Sequence, residues 1–252
     1  MLRALKRNLL CLLAWAVLLP YSLLLFLLAY VPGSNRHGLY HSLARTWCKL
    51  YVRALRVELE LVCHNTQPLP QHYILIANHP SALEDFGIPA LFDVYPLAKE
   101  GVRYWFFLGR VAASAGTIFV KRNDSLSRHL ALESLLQGAR EGKNLVIFPE
   151  GGCKGRRIYK RFHTGAFDVS QQTGVPIVPV FLQYCDEDSF EWAGQSVPGI
   201  MWQIFNARDH RVYYHVFDAI SPVGFDDKQQ FADDVHALFL QWEKEIVGRH
   251  TA

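Results

Sequence analysis

From Leu9 to Val31 the chain is almost wholly apolar. A run of that length is long enough to cross a bilayer, and in hydrocarbon it must satisfy its own backbone, which it can do as a helix. Arg3, Lys6 and Arg7 precede it. A cleaved secretory signal has a shorter apolar core and a small-x-small cleavage site; no such site precedes Pro32-Gly33. Pro20 removes a backbone hydrogen bond in mid-run and is expected to kink the helix. The N-terminus is thus expected to meet a membrane, either crossing it or lying in one leaflet.

The next segment, Asn35 to Arg56, has helical spacing. Leu39, Tyr40, Leu43, Trp47, Leu50 and Tyr51 share one face, with Arg45, Lys49, Arg53 and Arg56 opposite. Such a helix suits a bilayer interface, its aromatics among acyl chains and its arginines near phosphates. It suits equally well a surface helix packed on a domain. The expected organisation is an anchor over 1–56 (apolar helix 9–31, amphipathic helix 35–56) and a second domain over 57–252.

With 252 residues, one compact domain plus a small appendage is expected. A formal charge of only +3 does not point to nucleic acid as a partner. Cys11, Cys48, Cys63, Cys153 and Cys185 are odd in number, scattered and without metal-ligand spacing, as in a reduced, cytosol-facing protein. No metal site is expected, since no second histidine stands at helical spacing from His79.

Beyond Arg56, short apolar runs alternate with amphipathic stretches. Strands are expected at 57–62, 73–77, 117–120, 145–148, 177–182 and 212–217, and helices at 125–140, 164–173 and 226–247. This alternation predicts an α/β fold, a mostly parallel sheet covered by helices on both faces. Ligands in such sheets sit beyond the carboxyl ends of the strands. His79, Arg122 and Glu150 each directly follow an expected strand.

Two segments carry the chemistry: Asn78-His79-Pro80-Ser81-Ala82-Leu83-Glu84-Asp85 and Phe148-Pro149-Glu150-Gly151. A histidine titrating near working pH can take a proton from a hydroxyl, and a carboxylate on its other ring nitrogen fixes the tautomer. Ser81 is placed to begin or cap a helix after Pro80.

In order and spacing these segments resemble the glycerolipid acyltransferase family, whose first block reads N-H-x-S-x-x-D. Asn78, His79 and Ser81 match in register. At the carboxylate position stands Glu84, which keeps the spacing with one more methylene. Asp85 keeps the residue type but is rotated about 100° around a helix. Glu84 is the preferred partner, with Asp85 the alternative.

Gly116 to Arg122 resembles the second block, and the resemblance implies that Arg122, beside Lys121, binds the acceptor phosphate. Phe148 to Gly151 matches the third, where Glu150 and Gly151 would shape the acceptor site. The family commonly continues with threonine, arginine and serine; here stand Gly152, Cys153 and Lys154. Lys154, Arg156, Arg157, Lys160 and Arg161 follow without an intervening acid, either as a solvated loop or as a seat for an anionic lipid or thioester carrier. Phe162 to Phe167 resembles a segment with a basic residue where Thr164 stands. Val175 to Val180 matches the fourth block, and Leu97 to Glu100 lies where the family often ends a strand in lysine and glutamate.

The resemblance implies a membrane-associated O-acyltransferase taking acyl groups from acyl-CoA or acyl-carrier protein. It implies lysophosphatidic acid as the commonest acceptor, membrane lipids as partners, and no cofactor. A lyso-ornithine or lyso-glycine lipid is the alternative acceptor. A hydrolase is disfavoured because no G-x-S-x-G elbow occurs, and a non-catalytic lipid-binding relative is the rival outside enzymology. Acyl thioesters are made inside the cell, so the catalytic domain is expected on the cytoplasmic face of a bacterial inner membrane. In sealed, inside-in vesicles a C-terminal tag should therefore be protected from external protease; cleavage of the tag would overturn that topology.

Overall fold

The computed structural model of the chain describes residues 2–31, 33 and 38–248, with side chains from residue 8 onward. In chain order it forms helices α1 (Leu2–Leu28) and α2 (Leu39–Ala54) and strands β1 (Glu58–Cys63) and β2 (Ile74–Ala77). Helix α3 (Glu84–Leu91), strand β3 (Tyr95–Lys99), helix α4 (Leu108–Ser114) and strand β4 (Ile118–Val120) follow. Next come α5 (Ser125–Arg140), β5 (Leu145–Ile147), α6 (Gly165–Thr173) and β6 (Ile177–Tyr184). The last elements are α7 (Glu187–Phe190), α8 (Val197–Phe205), β7 (Arg211–Val216) and α9 (Lys228–Trp242), which runs on as a π turn over Glu243–Val247. They fall into two compact units, Met1–Glu58 with Leu83–Ala131 and Leu59–Ala82 with Leu132–Ala252.

In the second unit the strand order is β1-β7-β6-β2-β5. Strand β2 pairs in parallel with β5 on one side, Ile76 opposite Ile147, and with β6 on the other, Ala77 opposite Val180. Every residue of these three strands is buried. That is why they read as unbroken apolar runs rather than alternating ones. Strand β6 also pairs antiparallel with β7, so the sheet is mixed, with its parallel part centred on β2. Helix α6 lies against β2, β6 and α9, with Phe167 edge-on to Phe231 at 5.1 Å and Phe162 edge-on to Phe239 at 5.2 Å. The Asp227 side chain caps α9 by accepting from the Gln229 and Gln230 amides.

In the first unit α1 packs along α2. The Tyr40 hydroxyl donates to the Leu25 carbonyl at 2.9 Å, the Tyr21 hydroxyl to the Leu43 carbonyl at 3.0 Å, and the Trp47 indole to Ser22 Oγ at 2.7 Å. Helix α1 is continuous through Pro20. Its inner face of Cys11, Ala14, Leu18, Leu25 and Ala29 is buried, while Leu12, Leu19, Leu23 and Leu27 face outward. Arg3, Lys6 and Arg7 have side chains outside the described residues, as do residues 34–37, where the amphipathic helix was expected to begin.

Of the two readings of α2, the structure shows the packed one: Tyr40 and Trp47 are buried against α1, and His41 and Ala44 are buried as well. The reason is the apolar run itself, whose inner stripe supplies a partner that α2 viewed alone lacks. Ser81 does not cap α3, whose N-cap is Leu83 without a side-chain bond. Strand β3, which pairs in parallel with β4, was visible only as a strand end, because Pro96 and its partly exposed residues mask the strand pattern.

Beyond β2 the Asn78 side chain extends the pairing. Its amide donates to the Leu182 carbonyl at 3.1 Å and its oxygen accepts from the Leu182 amide at 2.7 Å. Asn78→Ala removes both partners of a buried peptide group and should cost about 2 kcal/mol or more. Chemical denaturation in detergent is the check; an unchanged midpoint would contradict the role given to Asn78.

Candidate active site

Parallel pairing puts the carboxyl ends of β2 and β5 side by side, and both chemical segments begin there. Carrying the register onward from Ile76 opposite Ile147 brings Asn78-His79 alongside Pro149-Glu150. The His79 imidazole lies flat on the Phe148 ring, centroids 4.0 Å apart and planes 11° from parallel. His79 is 7 % exposed. A ring held in this way has a defined plane, and an aromatic face attracts it once it carries charge.

Glu150 is fully buried, and its two oxygens accept from backbone amides: Oε1 from His79 at 3.0 Å and Oε2 from Tyr159 at 3.2 Å. A buried carboxylate is tolerated only with such partners, and hydrogen bonds to a charged acceptor are the stronger kind. Glu150 therefore ties the histidine's backbone to the loop after Gly151. Gly151 itself has φ +74°, and a Cβ there would stand 2.7 Å from His163 Cδ2. The His163 amide donates to the Pro149 carbonyl at 2.7 Å, closing this turn. Ser81 is buried and its carbonyl accepts from the Cys153 thiol at 3.1 Å. Cys153 thus fastens the second segment to the first.

The basic loop divides in two. Arg156 is ion-paired with Asp188 and Glu191, and Arg157 reaches Glu187 at 3.7 Å. These acids follow β6 in the chain and lie far from the loop in sequence, so the run looked unopposed. Lys154 and Lys160 flank the Tyr159 ring at 5.3 and 5.9 Å and, with Arg161, have no acidic partner among the described residues.

The remaining candidates belong to the first unit. Glu84 and Asp85 form the first turn of α3, where carboxylates are favoured. Glu84 is fully buried, whereas Asp85 is exposed. Lys121 and Arg122 are exposed in the turn between β4 and α5, the Arg122 carbonyl accepting from Arg128 at 2.7 Å. The same unit contains an apolar cavity of about 130 Å³, lined among others by Trp47, Cys48, Phe86, Val102, Trp105 and Leu108, with Asp85 in its wall. Burial there pushes the Cys48 thiol up to about 12, opposed by Arg45 and reinforced by Asp85, so it stays protonated. No group of three or more metal-binding side chains occurs among the described residues.

The family model described as Acyltransferase matches residues 60–183, the stretch that holds every one of these blocks. The chain belongs to the glycerolipid acyltransferase superfamily. A 1-acyl-sn-glycerol-3-phosphate acyltransferase of Neisseria meningitidis serogroup B is 25 % identical over 62 % of this chain and 64 % of that relative. A lyso-ornithine lipid O-acyltransferase of Pseudomonas aeruginosa is 30 % identical over 61 % of this chain and 58 % of that relative. The chain thus spans about three fifths of the length of these relatives. The crystal structure of the 1-acyl-sn-glycerophosphate acyltransferase PlsC of Thermotoga maritima superposes with a TM-score of 0.65 over 97 % of both chains at 18 % identity, which establishes a shared fold.

For this superfamily member, sequence reasoning found His79 and Glu150 but missed their connection. Phe148 as the platform for the imidazole, and Glu150 as a brace for the histidine's backbone, follow only from strand register. The signal was present in the like length of the two strands and their matching ends. Gly151→Ala should cost about 1–3 kcal/mol in stability, since a non-glycine residue is strained at that φ and the new methyl meets His163. A denaturation midpoint equal to the parent's would show that the turn relaxes freely.

Proposed function

We propose that the chain transfers a fatty acyl group from acyl-CoA or acyl-carrier protein to the hydroxyl of a lysophospholipid, with lysophosphatidic acid as acceptor and phosphatidic acid as product. The observation that carries this reading is His79 at the end of β2, its ring flat on Phe148 and its amide held by buried Glu150. The imidazole takes the acceptor's hydroxyl proton as the oxygen attacks the thioester carbonyl. The tetrahedral oxyanion collapses, the C–S bond breaks, and the imidazolium returns its proton to the departing thiolate. The thioester is already activated, so this step calls on no cofactor, metal or enzyme nucleophile.

Glu84 is the proposed orienting carboxylate, from its spacing after His79 and its burial; exposed Asp85 fits that role less well. Lys121, Arg122 and Lys154 are proposed phosphate ligands, Arg122 through its planar fork of donors. Gly151 allows the backbone turn that precedes Lys154, and Ser81 helps set it through Cys153. The apolar cavity of the first unit has the chemistry to hold part of a hydrocarbon chain. Helix α1, with outward leucines and an inner face packed on α2, is proposed to anchor the protein at the cytoplasmic face of a bacterial inner membrane. The division into anchor 1–56 and catalytic domain 57–252 is retained as a functional one.

A second acceptor class has specific support. Cys153 and Thr164 replace family residues near the acceptor loop, and one relative is named for lyso-ornithine lipid. Purified protein given labelled acyl-CoA and a panel of lysolipids should form labelled phosphatidic acid, lost by at least about 10³-fold in His79→Ala. Label on lyso-ornithine lipid instead would retain the chemistry and change the acceptor. Unimpaired turnover in His79→Ala would end the mechanism, and lipid binding without thioester consumption would favour a non-catalytic relative. Glu150→Gln puts a donor against an amide and should lower kcat about tenfold or more, with KM little changed.

A further inference from the structure

We propose that the turn Tyr104-Trp105-Phe106 is a second lipid-inserting element, joined to the outward face of α1 as one surface that enters the membrane interface. The proposal rests on the reading that α1 is membrane-attached. Tyr104, Trp105 and Phe106 are 76 %, 41 % and 84 % exposed, a concentration of aromatic surface that water disfavours. Aromatic side chains with polar tips are the residues that settle at headgroup depth.

The turn is built rather than loose. A 3-10 turn over Glu100–Tyr104 precedes it, and the Trp105 amide donates to the Val102 carbonyl at 3.1 Å. Gly109 closes against it so tightly that a Cβ would stand 2.2 Å from the Arg103 carbonyl oxygen. The tip is also seated on α1. Phe26 meets Phe106 at 5.1 Å and Phe107 at 6.1 Å, on the stretch of α1 whose Leu23, Leu27 and Tyr30 face outward. Arg110 donates to the Ala29 carbonyl at 3.0 Å, with its guanidinium 4.2 Å from the Tyr30 ring.

Continuity with α1 decides the occupant. A face contiguous with a helix apolar enough to lie in a bilayer meets the same medium, and Arg103 and Arg110 at its border suit anionic phosphates. Trp105 also lines the apolar cavity, so hydrocarbon could pass from the bilayer to that cavity along its ring without crossing water.

The test uses the full chain on phosphatidylcholine–phosphatidylglycerol vesicles with brominated acyl chains, which quench tryptophans lying among them. Trp105→Phe and Trp15→Phe, each keeping an aromatic ring, should each remove part of the quenched fluorescence. Tyr104→Ser with Phe106→Ser, both at exposed positions, should raise the lipid concentration for half-binding roughly tenfold or more. A quenched amplitude lost in Trp15→Phe but unchanged in Trp105→Phe would overturn the tip and keep the α1 reading. Unchanged quenching in both variants would remove the α1 reading and the proposal with it. Vesicle binding left intact by the double serine variant, with loss of self-association in sedimentation, would overturn it in favour of contact with a second copy.

Discussion

The parallel pairing of β2 with β5 is the constraint on which the catalytic reading depends. It aligns the ends of two buried strands, and the residues after those ends then meet without further adjustment. Glu150 converts that alignment into rigidity. Its buried carboxylate needs donors, and the amides of His79 and Tyr159 are among them. His79 thus has a fixed backbone and a flat aromatic support beneath its ring.

The same logic gives the altered third block a physical content. The Cys153 thiol reaches the Ser81 carbonyl and ties the two motifs together. The loop that follows is less cationic than its sequence implies, because Arg156 and Arg157 are engaged by Asp188, Glu191 and Glu187. What remains for an anionic ligand is Lys154, Lys160 and Arg161, a smaller and more local charge. Such a change in the number and position of cations is a route by which one scaffold can accept different lyso-lipid headgroups.

In the first unit the governing fact is that α1 has two unlike faces. Its inner stripe of small and medium residues, with Tyr21 and Ser22, takes hydrogen bonds from or gives them to α2. Its outer leucines are exposed, and beside them Phe26 meets the ring of Phe106.

Much of the α/β framework was legible because buried parallel strands must be apolar throughout and helices must repeat every three to four residues. Thus β2, β5, β6, α5 and α6 stand close to where pattern placed them. Strand β3 and the short helices α4 and α8 were not, because Pro96 and brief, partly exposed runs give no periodicity to read. By itself the sequence determined the superfamily, the candidate base His79 and the long apolar N-terminal helix, all properties of residue type and local spacing. Only the tertiary structure decided that α2 turns its aromatics inward, that Glu150 braces His79, and that two of the basic loop's five cations are paired with acids. Each of these depends on a partner distant in the chain, and no local pattern records which distant residue will arrive.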